Sequence, residues 1–243
     1  MTRVEWLDSV DSTNEEAKRR AADGEAGPLW TAAHVQTAGR GRRGRDWTSQ
    51  RGNLFCTLLT RPGGGPDRCA QLAFVAGLAV ADMAAGVLDP RSVTLKWPND
   101  LLIAGSKASG ILLETGEDGQ GRWLAAGIGV NLVSAPEGTP FPATHLSAHL
   151  PPGGAAPSPE AALEALAAAF AVRQAEWEQS GFGAIREAWL ARAHGLGAPV
   201  TARLADGSEA RGVFEDMDGT GALVLRTPDG ARRAIAAADV FFA

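Results

Sequence analysis

The chain has 243 residues, enough for one large domain or one with a small appendage, and enough to bury a core without metal or disulfide staples. Hydrophobic residues make up 45% and charged residues 21%, which excludes a disordered chain. The net charge of −5 excludes a surface built as a whole for nucleic acid, so any basic function is local. No apolar run of ~20 residues and no signal-peptide pattern is evident, so a cytoplasmic protein away from the membrane is expected.

In chain order, Val4 to Leu7 reads as a strand. Asp11-Ser12-Thr13-Asn14-Glu15-Glu16 follows, where Ser12 with Glu15 and Thr13 with Glu16 both fit a capping box opening a helix to about Ala22. Leu29 to Gln36 is a strand, Thr37 to Gln50 a Gly- and Arg-rich loop, and Asn53 to Thr60 a strand. Ala70 to Leu88 is apolar at nearly every position and reads as a buried helix. Val93 to Trp97 is a strand stopped by Pro98. A hairpin turns at Ala104-Gly105-Ser106, and Trp123 to Leu132 is a further strand. Residues 133–159 hold 7 of the 14 prolines and read as a long irregular loop. Helices are expected over Glu160 to Gln179 and Phe182 to Ala193. From Ala198 the chain breaks into four short strands and tight turns, a small SH3-like β-barrel. The expected fold is α+β: a mixed sheet with flanking helices over 1–197 and the barrel over 198–243.

Gly39-Arg40-Gly41-Arg42-Arg43-Gly44-Arg45 places four arginines in seven residues. Its G-x-G-x-x-G spelling is not a dinucleotide turn, because no helix pattern follows and arginines stand between the glycines. Glycines that turn N–H groups inward, and arginines that fork onto oxygens, suit a small polyphosphate. Like-charge repulsion and glycine entropy predict a loop that is mobile until an anion orders it. Trp47 either stacks on a base or anchors the loop.

Of 23 cations only Lys18, Lys96 and Lys107 are lysines. In a chain that uses Arg so freely, a motif lysine marks chemistry that needs a compact ammonium. Lys96-Trp97-Pro98-Asn99-Asp100 ends a strand, leaving the Lys96 ammonium near the end of the sheet, where such folds place ligands. Asn99 and Asp100 either orient a ligand or a cation, or only make the turn. Lys107 is either a second phosphate-directed cation or an ordinary hairpin residue. Gly127 and Gly129 alternate along a strand ending at Asn131, clearing one face for a ligand. Cys56 and Cys69 read as buried thiols, and His145 with His149 lacks partners for a zinc site.

Taken in order, Asp11-Ser12-Thr13-Asn14, Gln36, the Arg-rich loop through Trp47, Lys96-Trp97-Pro98-Asn99-Asp100, Lys107-Ala108-Ser109-Gly110 and Gly127-Ile128-Gly129-Val130-Asn131 closely resemble the bacterial biotin protein ligase family. The resemblance implies a class II synthetase-like core that uses ATP and Mg²⁺ to turn biotin into biotinyl-5′-AMP. The biotin then passes to a lysine of a biotin carboxyl carrier protein. It implies biotin contacts at Ser12, Thr13, Asn14, Gln36, Arg40, Gly41, Arg42, Lys96 and Gly110, with Lys96, Arg40 and Arg42 catalytic. It implies nucleotide contacts at Arg43, Arg45, Trp47, Asn99, Lys107 and Asn131, with Asn131 also near Mg²⁺. Since the first motif starts at residue 11, a form without the family's DNA-binding domain, acting as monomer or homodimer, is expected. The alternatives are a lipoate or octanoate ligase of the same fold, and a non-catalytic nucleotide-binding module.

Overall fold

The computed structural model describes residues 3–139 and 141–242. A seven-stranded sheet runs in the order β1-β2-β3-β7-β6-β5-β4. Its strands are β1 (Arg3–Val10), β2 (Leu29–Gln36), β3 (Leu54–Thr60), β4 (Val93–Lys96), β5 (Asp100–Ile103), β6 (Ser106–Asp118) and β7 (Gly121–Val130). Only β1 and β2 are parallel, and α1 (Thr13–Ala22) is their crossover. Every other ladder is antiparallel, so this is the mixed sheet expected.

Strand alternation decides what lies on each face. On β3, Leu54, Cys56 and Leu58 join the main core with α2 (Pro66–Ala85) and α3 (Pro159–Ser180). Leu59 faces the other way, packing with Ala17 and Ala21 of α1 and with Ala125. Thr57 shares that face, which puts its hydroxyl at the head of α1. Cys56 is a free buried thiol whose pKa burial pushes up.

α2 begins at Pro66, four residues before the expected start, with proline at its first turn where no N–H is needed. Among the described residues it is the one helix whose length and composition would suit a membrane span, but Asp67, Arg68 and Asp82 interrupt it, so no uncharged run reaches ~20 residues. It is a core helix, with Leu72, Val75, Leu78 and Val80 almost fully buried against sheet and helices.

The capping boxes do not form. Ser12 makes no side-chain cap. Glu15 and Glu16 pair with Lys18, Arg19 and Arg20. The free N–H groups instead find Asp11 Oδ1 (2.7 Å from Ser12 N) and Gln36 Oε1 (2.9 Å from Thr13 N), so the helix is capped from outside.

α4 (Phe182–Leu190) leads into a five-stranded antiparallel sheet in the order β11-β10-β9-β8-β12. Its strands are β8 (Pro199–Arg203), β9 (Glu209–Met217), β10 (Leu223–Arg226), β11 (Arg232–Ile235) and β12 (Asp239–Phe242). The first four match the expected short strands. β12 went unread because four residues after an alanine run carry no period. It returns to pair with β8, a choice only the tertiary fold makes. The two sheets share one core, and Trp97 Nε1 donates to Gly221 O at 2.9 Å across their junction.

Candidate active site

A glycine-bared floor comes first. In the β6–β7 register Gly110 lies opposite Gly129, and Leu112 opposite Gly127. A Cβ at Gly127 would enter the Asn14 amide, and one at Gly129 the Trp47 indole. One at Gly110 would lie 3.0 Å from Trp47 Cζ3. The bare strands therefore let other groups come within contact of the backbone. Above them opens a cleft of about 380 Å³, bounded by the head of α1, the Arg-rich loop, the β4–β5 turn and β12.

One end of the cleft is a buried polar bowl. Ser12, Thr13 and Asn14 are each 3% exposed. Thr13 Oγ1 donates to Gln36 Oε1 at 3.1 Å, and Thr57 Oγ1 sits 2.8 Å from Thr13 Oγ1 and 2.7 Å from Asn14 Oδ1. Asn14 Nδ2 donates to Glu114 Oε2 at 2.8 Å, and Gln36 Nε2 to Ser49 Oγ at 3.1 Å. Burial alone would raise the Glu114 carboxyl, but hydrogen bonds from Lys18 and Asn14 hold it below the usual range. Glu114 thus stays an anion that fixes which way the Asn14 amide points. Since Asn14 is clamped from two sides, Gly127→Ala has nowhere to push it. We expect a stability loss of about 1–3 kcal/mol from the broken network and a weaker grip on any ligand of the bowl. Calorimetric melting with ligand titration checks this, and a parent-like melt and affinity would show that the amide yields.

The other end is cationic. The Arg-rich loop is a narrow turn closed by an Arg40–Asp46 bridge, with Arg43 (φ 57) and Gly44 (φ 70) left-handed at its tip. Gly39 is buried where a Cβ would crowd Trp47 O, Gln36 Nε2 and Ser49 Oγ. The four arginines are not left to repel one another, as the sequence suggested. Arg40 pairs with Glu15 of α1. Arg42 Nη1 donates to Asn99 Oδ1 at 3.0 Å. Arg43 and Arg45 both reach Asp239 of β12, at 3.0 Å each. Arg42 is half-buried, and that desolvation pushes its pKa down.

Lys96 ends β4, half-buried, with its pKa lowered first by burial, against the pull of Asp100 and Asp239. Lys107 Nζ sits 2.7 Å from Asp100 Oδ1 and 5.5 Å from the centroid of Trp47. Asn99 stands in the β4–β5 turn with both ends of its amide engaged. Its Nδ2 donates to Ile111 O of β6 at 2.6 Å, and its Oδ1 accepts from Arg42.

All the expected residues line this cleft except Arg43. Arg43 stands at the tip of the turn, where its guanidinium pairs with Asp239 of the cleft wall. Asn131 is buried at the cleft edge and donates to Thr144 O at 3.0 Å. His145 and His149 are occupied with Ser147 and Thr144. No group of three or more His, Cys, Asp or Glu that could hold a metal occurs among the described residues. Sequence reading missed Glu15, Thr57, Glu114 and Asp239. Each is an ordinary residue far along the chain from its partner, and only Thr57, facing opposite to Cys56 within its strand, carried any periodic signal.

The family described as Biotin/lipoate A/B protein ligase matches residues 6–131, and Biotin protein ligase C terminal domain matches residues 195–243. A biotin–[acetyl-CoA-carboxylase] ligase of Paracoccus denitrificans is 48% identical over 97% of this chain and 99% of its own length. The bifunctional ligase/repressor BirA of Bacillus subtilis is 31% identical over 97% of this chain and 72% of its own. The Aquifex aeolicus biotin protein ligase solved with biotin and ATP superposes with a TM-score of 0.85, at 26% identity and full coverage of both chains. These matches span nearly the whole chain, and the chain belongs to the biotin protein ligase family.

Proposed function

We propose that the cleft joins biotin to ATP, releasing pyrophosphate and holding biotinyl-5′-AMP, and then passes the biotin to a lysine of a biotin carboxyl carrier protein. The observation that carries this is the pairing of a buried, uncharged polar bowl with a cationic end over one glycine floor. The bowl suits a compact ring bearing a few amide-like donors and acceptors. The cationic end suits the carboxylate and phosphates that must meet there.

In the first half-reaction a biotin carboxylate oxygen attacks the α-phosphorus and the bond to pyrophosphate breaks. Two anions must approach each other, so the work of the protein is alignment and charge neutralisation. Lys96 supplies a compact ammonium between them, and Arg42, fixed by Asn99, faces the same space. Arg40 exchanges Glu15 for the ligand as the loop closes. Trp47 lies against the purine, on the floor it already covers. In the second half-reaction the acceptor amine attacks the biotinyl carbonyl, forming an amide and releasing AMP, while the closed loop keeps water away.

Among the described residues around the cleft, no His, Cys, Asp or Glu cluster could hold a metal on its own. Mg²⁺, which keeps most of its waters and prefers phosphate oxygens, fits here as the nucleotide's counter-ion with Asn131 near it.

The deciding experiment supplies ATP and Mg²⁺ with biotin, lipoate or octanoate and identifies the acyl-adenylate by mass spectrometry. Biotinyl-AMP alone is expected. Lipoyl- or octanoyl-AMP in its place would assign the chain to the other branch of the family, and no adenylate from any acid would leave a binding module.

The C-terminal sheet reaches the loop through Asp239. Asp239→Asn leaves a neutral amide against Arg43 and Arg45. We expect it to weaken ATP binding and carrier biotinylation about three- to tenfold, the worth of partly exposed charge pairs lost together, while biotin affinity changes little. Isothermal titration with each substrate separates the two. An equal loss for biotin would argue against a role confined to the loop.

A further inference from the structure

Phe141 lies in the irregular segment between β7 and α3. The Lys96 ammonium sits over its ring, with Nζ 4.0 Å from the centroid. The ring of Phe241, on β12, is tilted 33° to that of Phe141 with centroids 5.2 Å apart. The Arg203 guanidinium of β8 lies 4.8 Å from the Phe241 centroid. A pair of aromatic rings, with a cation at each end, thus runs from the lysine into the C-terminal sheet.

The charges around Lys96 explain why an aromatic face is useful there. Asp100 and Asp239 favour its ammonium, while Lys107 and Arg45 oppose it, and His194 lies near enough to feel its charge. Both carboxylates already have partners: Asp100 holds Lys107 at 2.7 Å, and Asp239 holds Arg43 and Arg45 at 3.0 Å each. A further carboxylate would steady Lys96 but repel a carboxylate or phosphate ligand. A ring face steadies the cation with no net charge, leaving N–H donors for the ligand.

We infer that Phe141 is a positioning residue for adenylation: its ring face holds the Lys96 ammonium at the end of β4, and Phe241 braces that ring from the C-terminal sheet. This rests on the reading that Lys96 meets the carboxylate and the α-phosphate.

The test is single-turnover formation of biotinyl-AMP by the full chain across pH. It compares the parent with Phe141→Leu, Phe141→Trp, Lys96→Gln and the double variant Lys96→Gln/Phe141→Leu. Phe141→Leu keeps apolar bulk and loses the ring. It is expected to slow adenylation about five- to twentyfold and to move the alkaline limb to lower pH, because the protonated amine loses its stabilising face. Phe141→Trp restores rate and limb. The double variant is no slower than Lys96→Gln, since the ring acts through the lysine. Phe241→Leu, on the other element, gives a smaller change in the same direction. A parent-like rate and pH profile in Phe141→Leu overturns the inference. So does a pH-independent loss that adds fully to that of Lys96→Gln, which would mark Phe141 as structural. If Lys96→Gln forms adenylate normally, the role given to Lys96 fails and takes the inference with it. A silent Phe141→Leu beside an inactive Lys96→Gln overturns the inference alone.

Discussion

Replacing Lys96 by arginine should remove most of the adenylation activity while preserving the formal charge. Lys96 is half-buried at the end of β4, its Nζ 4.0 Å from the ring of Phe141. A guanidinium is longer and planar, and cannot put a single compact donor between a carboxylate and a phosphate in that space. Losing one charge-assisted contact is worth about 1.5–3 kcal/mol, or ~10–150-fold in rate. The pH profile should carry the same signature. Burial lowers the Lys96 pKa, so the ammonium is present below that value and activity falls as pH rises through it. The alkaline limb therefore lies at lower pH than an exposed lysine would give. Near-parent turnover by Lys96→Arg, measured as pyrophosphate release, would remove Lys96 from the chemistry.

The second large effect concerns retention. Arg40 is partly exposed and pairs with Glu15, which it shares with Lys18. Closing over a ligand exchanges one carboxylate for another anion, so the adenylate can draw the loop shut where a neutral ligand cannot. Arg40→Gly removes that contact and adds backbone freedom at a position already flanked by Gly39 and Gly41. We expect biotinyl-AMP still to form but to escape about 10–150-fold faster, again the worth of a charge-assisted bond. Bystander proteins would then be biotinylated non-selectively. Limited proteolysis gives an independent reading: cutting at the loop arginines should slow when biotin and ATP are added to the parent, and slow less in the variant. An adenylate held as tightly by Arg40→Gly as by the parent, with proteolysis indifferent to ligands, would mean that the loop does not close.

These expectations separate what is local from what is not. Short, nearly continuous apolar runs in β2 and β3, the apolar run of α2, Pro98 at the end of β4 and the turn glycines all act over a few residues, and they set the elements and their order. The site motifs were legible for a related reason. Each places unusual residues close in sequence: four arginines among glycines, a lysine in an arginine-rich chain, glycines at alternate strand positions. Such clusters are costly unless a ligand uses them.

The tertiary structure decided which distant, ordinary side chains complete the site. Glu15 reads in sequence only as a helix cap, and nothing near Glu114 or Asp239 marks them, yet the three hold Arg40, Asn14 and the pair Arg43–Arg45. The capping box failed for the same reason. Gln36, brought beside α1 by β1–β2 pairing, took the Thr13 N–H from a distance of 23 residues. By itself the sequence determined the elements, the class of the fold and the clusters of unusual residues, because these follow from periodicity and local backbone preference. Partner choice for each charge depends on which elements the core brings together, and that is settled by burial of the whole sheet, where no local pattern records it.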